Sequence, residues 1–346
     1  MKKIRVAING FGRIGRAFAK VAKNRPEIEI VAINDLGNLE NLVYLFKYDT
    51  AYGKTSFNVS AGAGNESHLI IDGNKVAFLS EKDPANLPWK DLDVDVVVES
   101  TGFFASYEKS KVHLGAGAKR VVVSAPVKDI PEDCGISGAT VLMGINDSEL
   151  KTCDISSNAS CTTNAGGPIL SILNEGIGIE KAILNTVHGY TATQRIVDGP
   201  SGKDFRKGRA GAQNIIPSST GSAIATTKAM PELDGKFDGV ATRVPVITGS
   251  IADITFISKK NVTVEEVNEV LKKAAQDEGW QKVFSVTDEP LVSSDIIGSP
   301  FASIADLNMT RVVDGNLVKV LTWYDNEMGY SYTLVDHVIK TGGYLK

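Results

Sequence analysis

Ile4-Arg5-Val6-Ala7-Ile8 runs directly into Asn9-Gly10-Phe11-Gly12-Arg13-Ile14-Gly15-Arg16, and this junction restricts the fold more than any other part of the chain. The apolar run reads as a buried strand, and the glycines at 10, 12 and 15 fit G-x-G-x-x-G. Residues 13–23 follow with Ile14, Phe18 and Val21 on one helical face, and the pattern stops before Pro26. Residues 29–33 make a second strand, with Asp35 about 20 residues beyond the last glycine. In such a unit Gly10 makes the tight turn, Gly12 lets the backbone approach a pyrophosphate, and Gly15 lets helix and strand close up. The pyrophosphate then rests on unpaired N–H groups at the helix start. Asp35 would accept hydrogen bonds from the adenosine ribose. It would also repel the extra phosphate of NADP, because like charges brought together cost several kcal/mol. The junction therefore predicts a doubly wound α/β sheet that binds NAD.

At 346 residues the chain is longer than one core usually supports, so two domains are expected. Further strand-like runs at 69–71, 76–79, 94–99 and 121–124 extend the first sheet. The last two lead into Ser100-Thr101-Gly102 and Ser124-Ala125-Pro126, which makes Thr101, Gly102 and Ser124 candidates for the cofactor wall. A net charge of −4 gives no reason to expect nucleic acid as a partner. No apolar run approaches the ~20 residues that span a bilayer. Three cysteines without regular spacing argue against a disulfide framework and for a reducing, cytoplasmic setting. No metal is expected.

The second informative stretch is Ser157-Asn158-Ala159-Ser160-Cys161-Thr162-Thr163-Asn164. It follows a strand-like end and precedes a helix-like run at 168–176 that closes on glycine. Cys161 is thus expected at a helix N-terminus, where backbone donors would stabilise a thiolate and hold an oxyanion. Making a free thiol mostly ionised at neutral pH takes a shift of about two units, or ~2.7 kcal/mol. A helix terminus typically supplies ~0.3–1 kcal/mol. An imidazolium is the expected source of the rest, and His188, after a strand-like run at 181–187, is assigned to it. Residues 192–213 turn glycine-rich and basic, with Arg195, Lys203, Arg206, Lys207 and Arg209, and read as a long ordered loop with a role. Thr191, Thr220, Gly221 and Arg243 offer hydroxyl, backbone and guanidinium donors of the kind phosphates take. Residues 253–259 and 318–323 read as strands, and 264–277 as a helix capped by Thr263 with Glu266.

Five ordered blocks carry a resemblance: the glycine fingerprint with Asp35, Ser124-Ala125-Pro126, the cysteine block, His188-Gly189-Tyr190-Thr191, and Trp323-Tyr324-Asp325-Asn326-Glu327. Together they resemble phosphorylating glyceraldehyde-3-phosphate dehydrogenases over nearly the whole chain. The resemblance implies a Rossmann-type NAD-binding domain at 1–160, to which residues 329–346 return as a helix. It implies an α+β catalytic domain with a mixed or antiparallel sheet at 161–328. Cys161 would be the nucleophile and His188 its base. Gly10, Gly12, Arg13, Ile14, Gly15, Asp35, Lys82, Thr101, Ser124 and Asn326 would bind NAD, Asn326 through the nicotinamide carboxamide. Thr191 and Arg243 would hold the phosphate of glyceraldehyde 3-phosphate. Ser160, Thr162, Thr220 and Gly221 would serve the incoming inorganic phosphate, with Arg195 near both. A homotetramer is implied, with the basic loop packing against a neighbour's cofactor.

The chain departs from the family pattern in four places. Ala165 stands where many members carry a second cysteine, which removes a partner for oxidation. Lys82 stands where arginine is common, and Gly199 replaces a bulky residue near the adenosine pocket. The stretch 129–140 is longer than usual. Two other readings stay open at this point: an erythrose-4-phosphate dehydrogenase that releases its product with water, and an NAD-binding protein whose main role is not catalytic.

Overall fold

The computed structural model describes residues 2–62, 67–202 and 204–345. Lys203, one of the loop cations, lies outside the described residues. The chain divides into two compact units. The first runs to Val141 and takes in Asp147–Ala159 and the chain from Leu334 onward; the second comprises Leu142–Asn146 and Ser160–Thr333.

In the first unit β1 (Ile4–Asn9) leads to α1 (Arg13–Ala22) and β2 (Ile28–Asn34). Helix α2 (Leu39–Lys47) and a small hairpin, β3 (Tyr48–Asp49) with β4 (Gly53–Lys54), come next. The remaining elements are β5 (Val59–Ala61), β6 (His68–Ile71), β7 (Asn74–Leu79), β8 (Val96–Glu99), α3 (Tyr107–Gly115), β9 (Arg120–Val123), β10 (Gly138–Thr140) and β11 (Ile155–Ser157). Nine of these strands form one sheet in the order β10-β11-β9-β8-β1-β2-β7-β6-β5. Its pairings are parallel except at β5–β6 and β6–β7. Val96, Val97, Val98, Val121, Val122 and Val123 are all fully buried, as strands covered on both faces require. Strand order reverses at β1, between β2 and β8, so the carboxyl ends of these strands open the crevice typical of a doubly wound sheet.

The longer stretch at 129–140 has a structural account. It ends in the edge strand β10, and the Asp129 carboxylate accepts the backbone N–H groups of Tyr107 and Glu108 at 3.0 Å each. It thereby caps α3 beside the N-cap Ser106.

The second unit begins with α4 (Cys161–Gly176), then β12 (Ile179–Gly189), β13 (Ile216–Ser219), α5 (Ser222–Ala229), β14 (Phe237–Val244) and β15 (Ser250–Ser258). It continues with α6 (Val264–Ala275), β16 (Phe284–Thr287), β17 (Ser303–Val313), β18 (Leu317–Tyr324) and the start of α7 (Met328–Gly343). Seven strands form a mixed sheet, β13-β14-β12-β15-β18-β17-β16. Helices α4, α5 and α6 pack on it, with Ile169, Leu173, Leu184, Ile254, Phe256 and Val320 in the core. Burial alternates residue by residue along β15, the mark of a sheet with one covered face. Ile183, Val240, Val313 and Leu317 on neighbouring strands are exposed. Thr263 and Glu266 close a capping box at the start of α6, as their spacing predicts.

Candidate active site

The glycine fingerprint folds as its sequence dictates. Gly10 takes φ +96°, and a Cβ there would lie 2.7 Å from the Thr101 nitrogen. A Cβ at Gly15 would collide with the Gly10 carbonyl oxygen, whereas one at Gly12 would meet nothing within 4 Å. Tight packing behind the turn and open space in front of it fit a pyrophosphate approaching at Gly12. Helix α1 starts with no side-chain cap and no acid in its first turn, which leaves its N–H groups for an anion. A cavity of about 480 Å³ opens there. Gly10, Gly12, Asp35, Lys82 and Thr101 line it, all expected from sequence. Leu36, Glu81 and Phe103 line it too and were not expected. Leu36 and Phe103 are 62% and 80% exposed, and large apolar side chains held in water at a cavity mouth suit a flat aromatic ligand. The Asp35 carboxylate accepts N–H of Phe11 at 2.7 Å and of Gly37 at 2.8 Å, so both turns hold it in place.

Other expected cofactor residues lie outside this lining. Arg13 forks onto Asp49 at 3.1 and 3.3 Å, Ile14 sits in the first turn of α1, and Ser124 follows β9. Asn326 belongs to the second unit, where its side-chain oxygen accepts hydroxyls of Ser250 at 2.8 Å and Thr248 at 3.2 Å.

Cys161 is the first residue of α4. Two residues after β11 the chain turns at Ala159, which is fully buried with φ +54°, a value non-glycine residues seldom adopt. Ser160 is the N-cap: its Oγ accepts the Thr163 N–H at 3.0 Å and meets the Thr163 hydroxyl at 2.7 Å. Cys161 is half-buried, and its Sγ lies 3.3 Å from His188 Nε2. His188 Nδ1 lies 2.6 Å from the Gly189 carbonyl. A carbonyl only accepts, and in the tautomer that pairs Nδ1–H with it Nε2 faces the sulfur as a base; the donor-only Arg243 Nη1 competes for the same Nδ1. Behind the ring stands Tyr324, edge-on at 5.9 Å between centroids. Its hydroxyl bonds Thr162 at 2.9 Å and Thr186 at 2.6 Å and so ties the helix start to β12 and β18. Sequence reasoning gave Tyr324 and Thr186 no role. The available signal was a tyrosine beside polar residues in an otherwise apolar strand.

The electrostatics bring a second charge to this pair. The imidazole was expected to be the cation beside the sulfur. The structure brings a guanidinium to the Nδ1 side of the ring, because β12 and β14 run parallel with His188 opposite Arg243. Arg243 Nη1 lies against His188 Nδ1 and donates to the Gly189 carbonyl at 3.3 Å. Burial, then the Arg243 charge, push the His188 imidazole down to about 3. Burial pushes the Cys161 thiol up, while Arg243, the Thr162 hydroxyl and the backbone amides of Thr162 and Cys161 pull it the other way. Burial and the Arg243 charge thus disfavour a positive charge on His188, and the same guanidinium favours a negative one on Cys161.

Arg243 Nε is buried without an acceptor, and no carboxylate pairs with Arg243 among the described residues. A buried guanidinium with a free donor suits an anion. Ser160 and Thr162 stand at the start of α4 beside Cys161, whereas Thr191, Arg195, Thr220 and Gly221 make no hydrogen bond to Cys161 or His188 among the described residues. Thr191 bonds Thr193 at 2.8 Å, Arg195 donates to the Pro200 carbonyl at 3.1 Å, Thr220 accepts the Ser222 N–H at 3.1 Å, and Gly221 is the N-cap of α5. A larger depression of about 770 Å³ on this unit, lined by Ile183, Ile224, Thr255 and Leu317 among others, contains none of these groups. The chemistry, not the volume, locates the site.

Known proteins show the same two parts. Residues 4–107 match the glyceraldehyde 3-phosphate dehydrogenase NAD binding domain, and residues 160–326 match the C-terminal domain of the same family. A glyceraldehyde-3-phosphate dehydrogenase of Streptomyces coelicolor is 46% identical over 99% of both chains. That of Geobacillus stearothermophilus is 45% identical over 96% of each. Glyceraldehyde-3-phosphate dehydrogenase 3 of Saccharomyces cerevisiae is 44% identical over 97% of this chain and 99% of its own. With a glycine-turn crevice in one unit and a cysteine–histidine pair in the other, this chain belongs to the glyceraldehyde-3-phosphate dehydrogenase family.

Proposed function

We propose that the chain oxidises glyceraldehyde 3-phosphate and captures the product with inorganic phosphate, using Cys161 and His188. The observation that carries this reading is the 3.3 Å contact between Sγ and Nε2 at the start of a helix, with Arg243 against the other nitrogen of the same ring. Gly10, Gly12, Asp35, Lys82 and Thr101 hold the NAD; Arg13, Ile14, Gly15, Ser124 and Asn326 complete its site on family resemblance. When bound, NAD supplies the acceptor for the hydride that leaves the substrate carbon.

The chain's own residues do the rest. Nε2 of His188 takes the thiol proton as sulfur attacks the aldehyde carbon, giving a thiohemiacetal. Backbone N–H groups at the start of α4 steady the oxyanion that forms. His188 returns its proton to that oxyanion to give the hydroxyl, and takes it again as the carbon is oxidised to a thioester. Inorganic phosphate displaces the sulfur and leaves as the acyl phosphate. Arg243 and Thr191 hold the substrate phosphate; Ser160, Thr162, Thr220 and Gly221 serve the attacking phosphate, and Arg195 serves both. A phosphate dianion at Arg243 offsets the charge that holds His188 neutral, so substrate binding itself favours proton transfer from sulfur to imidazole.

The working form is a homotetramer. Ile183, Val240, Val313 and Leu317 form an exposed apolar surface on a single sheet, and covering such a surface is the usual role of a second subunit. The loop from 192 to 213 adds Ile196, Val197 and Phe205, each more than 70% exposed. Asp198 orders this loop by accepting from Arg209 Nε at 2.9 Å and the Ala210 N–H at 3.0 Å. Apolar side chains presented on an ordered loop fit docking to a neighbour. The setting is cytoplasmic: all three cysteines are free thiols. No helix among the described residues is long and apolar enough to cross a membrane.

The test is an NADH-formation assay on glyceraldehyde 3-phosphate with and without inorganic phosphate, with erythrose 4-phosphate as the comparison. Turnover is expected to require phosphate and to favour the triose. Phosphate-independent turnover on the tetrose would overturn the assignment.

A further inference from the structure

Behind the wall of the dinucleotide cavity runs a buried polar chain that includes a carboxylate no step above uses. Glu99, at the end of β8, is 2% exposed. Its Oε1 accepts the Thr101 backbone N–H at 2.8 Å and the Thr101 hydroxyl at 2.5 Å. That hydroxyl accepts the Phe103 N–H, so its own proton points to Glu99. Oε2 accepts Asn9 Nδ2 at 2.6 Å and faces His113 Nε2 at 3.1 Å. The tautomer of His113 follows from Trp89. The indole Nε1–H can only donate, and it lies 3.1 Å from His113 Nδ1, so the imidazole proton sits on Nε2 and points at Glu99. Four donors therefore converge on one carboxyl group. An acceptor-only carboxylate satisfies all four, and no Lys or Arg neutralises it among the described residues.

The chain continues into the cavity wall. The Asn9 side-chain oxygen accepts Asn34 Nδ2 at 2.7 Å. Asn34 in turn donates to the Glu81 carbonyl and accepts the Glu81 N–H, both at 2.9 Å. The ends of β1, β2 and β8 and the segment after β7 are thus tied in one row. Asn9, Asn34, Glu81 and Thr101 line the cavity; Glu99, His113 and Trp89 do not. The Ser100 hydroxyl also donates to the Gly10 carbonyl at 2.6 Å, and the Ser100-Thr101 backbone closes the space behind Gly10. A shift of the Thr101 peptide therefore moves the glycine turn.

Burying a carboxylate is costly unless its acceptors are matched, and a fully matched network rigidifies what it connects. A strand as apolar as β8 needs no acid for its own stability. We propose that Glu99, held by His113 and Trp89, is a positioning residue for NAD. It fixes the Ser100-Thr101 peptide against the glycine turn, and through Asn9 and Asn34 it sets the width of the crevice. This rests on the assignment of the crevice to NAD.

The test begins with fluorescence titration of the full-length wild type with NADH. Failure to bind would overturn the NAD assignment itself. In Glu99→Gln the new amide nitrogen cannot accept, and one pair of donors is left facing it. The NADH dissociation constant and the KM for NAD are expected to rise tenfold or more. In the same variant kcat at saturating NAD should fall no more than about threefold, with the aldehyde KM within about twofold. His113→Gln keeps a side-chain N–H donor, so it should retain tighter NADH binding than His113→Ala. Wild-type affinity in a folded Glu99→Gln protein would overturn the positioning role. So would a drop in kcat with both KM values rising together, the signature of a structural defect. If Glu99→Gln does not fold, the two His113 variants decide: equal affinity in both overturns the proposal, and a graded loss supports it.

Discussion

The crevice of the first unit and the cysteine site of the second are built in opposite ways. In the crevice the reactive surface is backbone, shaped by three glycines within six positions and braced from behind by Ser100 and Thr101. In the cysteine site the surface is side chains from distant parts of the chain. Cys161, His188, Arg243 and Tyr324 come from one helix and three strands, and meet only because β12 lies beside β14 and β15 beside β18. A backbone site tolerates side-chain change where nothing packs and fails where a Cβ has no room. A side-chain site tolerates little change in the groups themselves. The contrast separates binding from chemistry, and it can be tested from either side.

The largest effect is expected at the sulfur. Cys161→Ser removes the nucleophile and should reduce phosphate-dependent turnover by at least about 10³-fold. NADH binding by fluorescence should stay within about twofold. Substantial residual turnover would remove Cys161 from the mechanism, and lost NADH binding would show that the two sites are not separable.

Gly15→Ala is the converse. Its Cβ would strike the Gly10 carbonyl, so the turn must shift. NADH affinity should fall by tenfold or more, while the rate of Cys161 alkylation by iodoacetamide changes less than about twofold. Equal losses in both readouts would erase the contrast.

The smallest effect is on stability against acid, and it appears in both units. His337 is buried in the first unit, 2.7 Å from Ser156 Oγ and 3.0 Å from Asn158 Oδ1. Burial pushes it down to about 3, as burial and Arg243 do His188 in the second unit. Between the ordinary histidine value of about 6.5 and the folded value the unfolded chain binds more protons, so stability falls as pH falls. The urea midpoint should be flat with respect to these groups above about pH 6.5 and decline below it. The slope has a ceiling of ~1.4 kcal/mol per pH unit for each histidine. His337→Asn should flatten that decline. An unchanged slope in this variant would show that His337 is free to protonate in the folded state.

Much of the first unit was legible because its determinants are local. The strand–glycine–helix–strand run, Asp35 and the small residues after β8 all carry their meaning in short strings, and the sheet follows from steric rules on those strings. The position of Cys161 was legible for the same reason: a polar, small-residue stretch between strand and helix patterns marks a helix start. The Thr263 cap of α6 was equally plain. Register was not legible. Nothing near His188 in sequence announces Arg243, a second cation that arrives from a parallel strand. Glu99 illustrates the same gap. In sequence it is the polar end of an apolar strand, and only the fold brings it donors from Asn9, Thr101 and His113.

The sequence alone determined where the backbone must turn, which helix ends stay open, and which side chains are chemically able to attack, accept or bind phosphate. These properties depend on sterics and bonding within a few residues of chain. Tertiary structure decided which cation reaches the cysteine–histidine pair, which groups the buried histidines bond, and which acid braces the crevice. Each of those depends on distances between residues tens of positions apart, and Coulomb and desolvation energies are set by such distances and by burial, not by order along the chain.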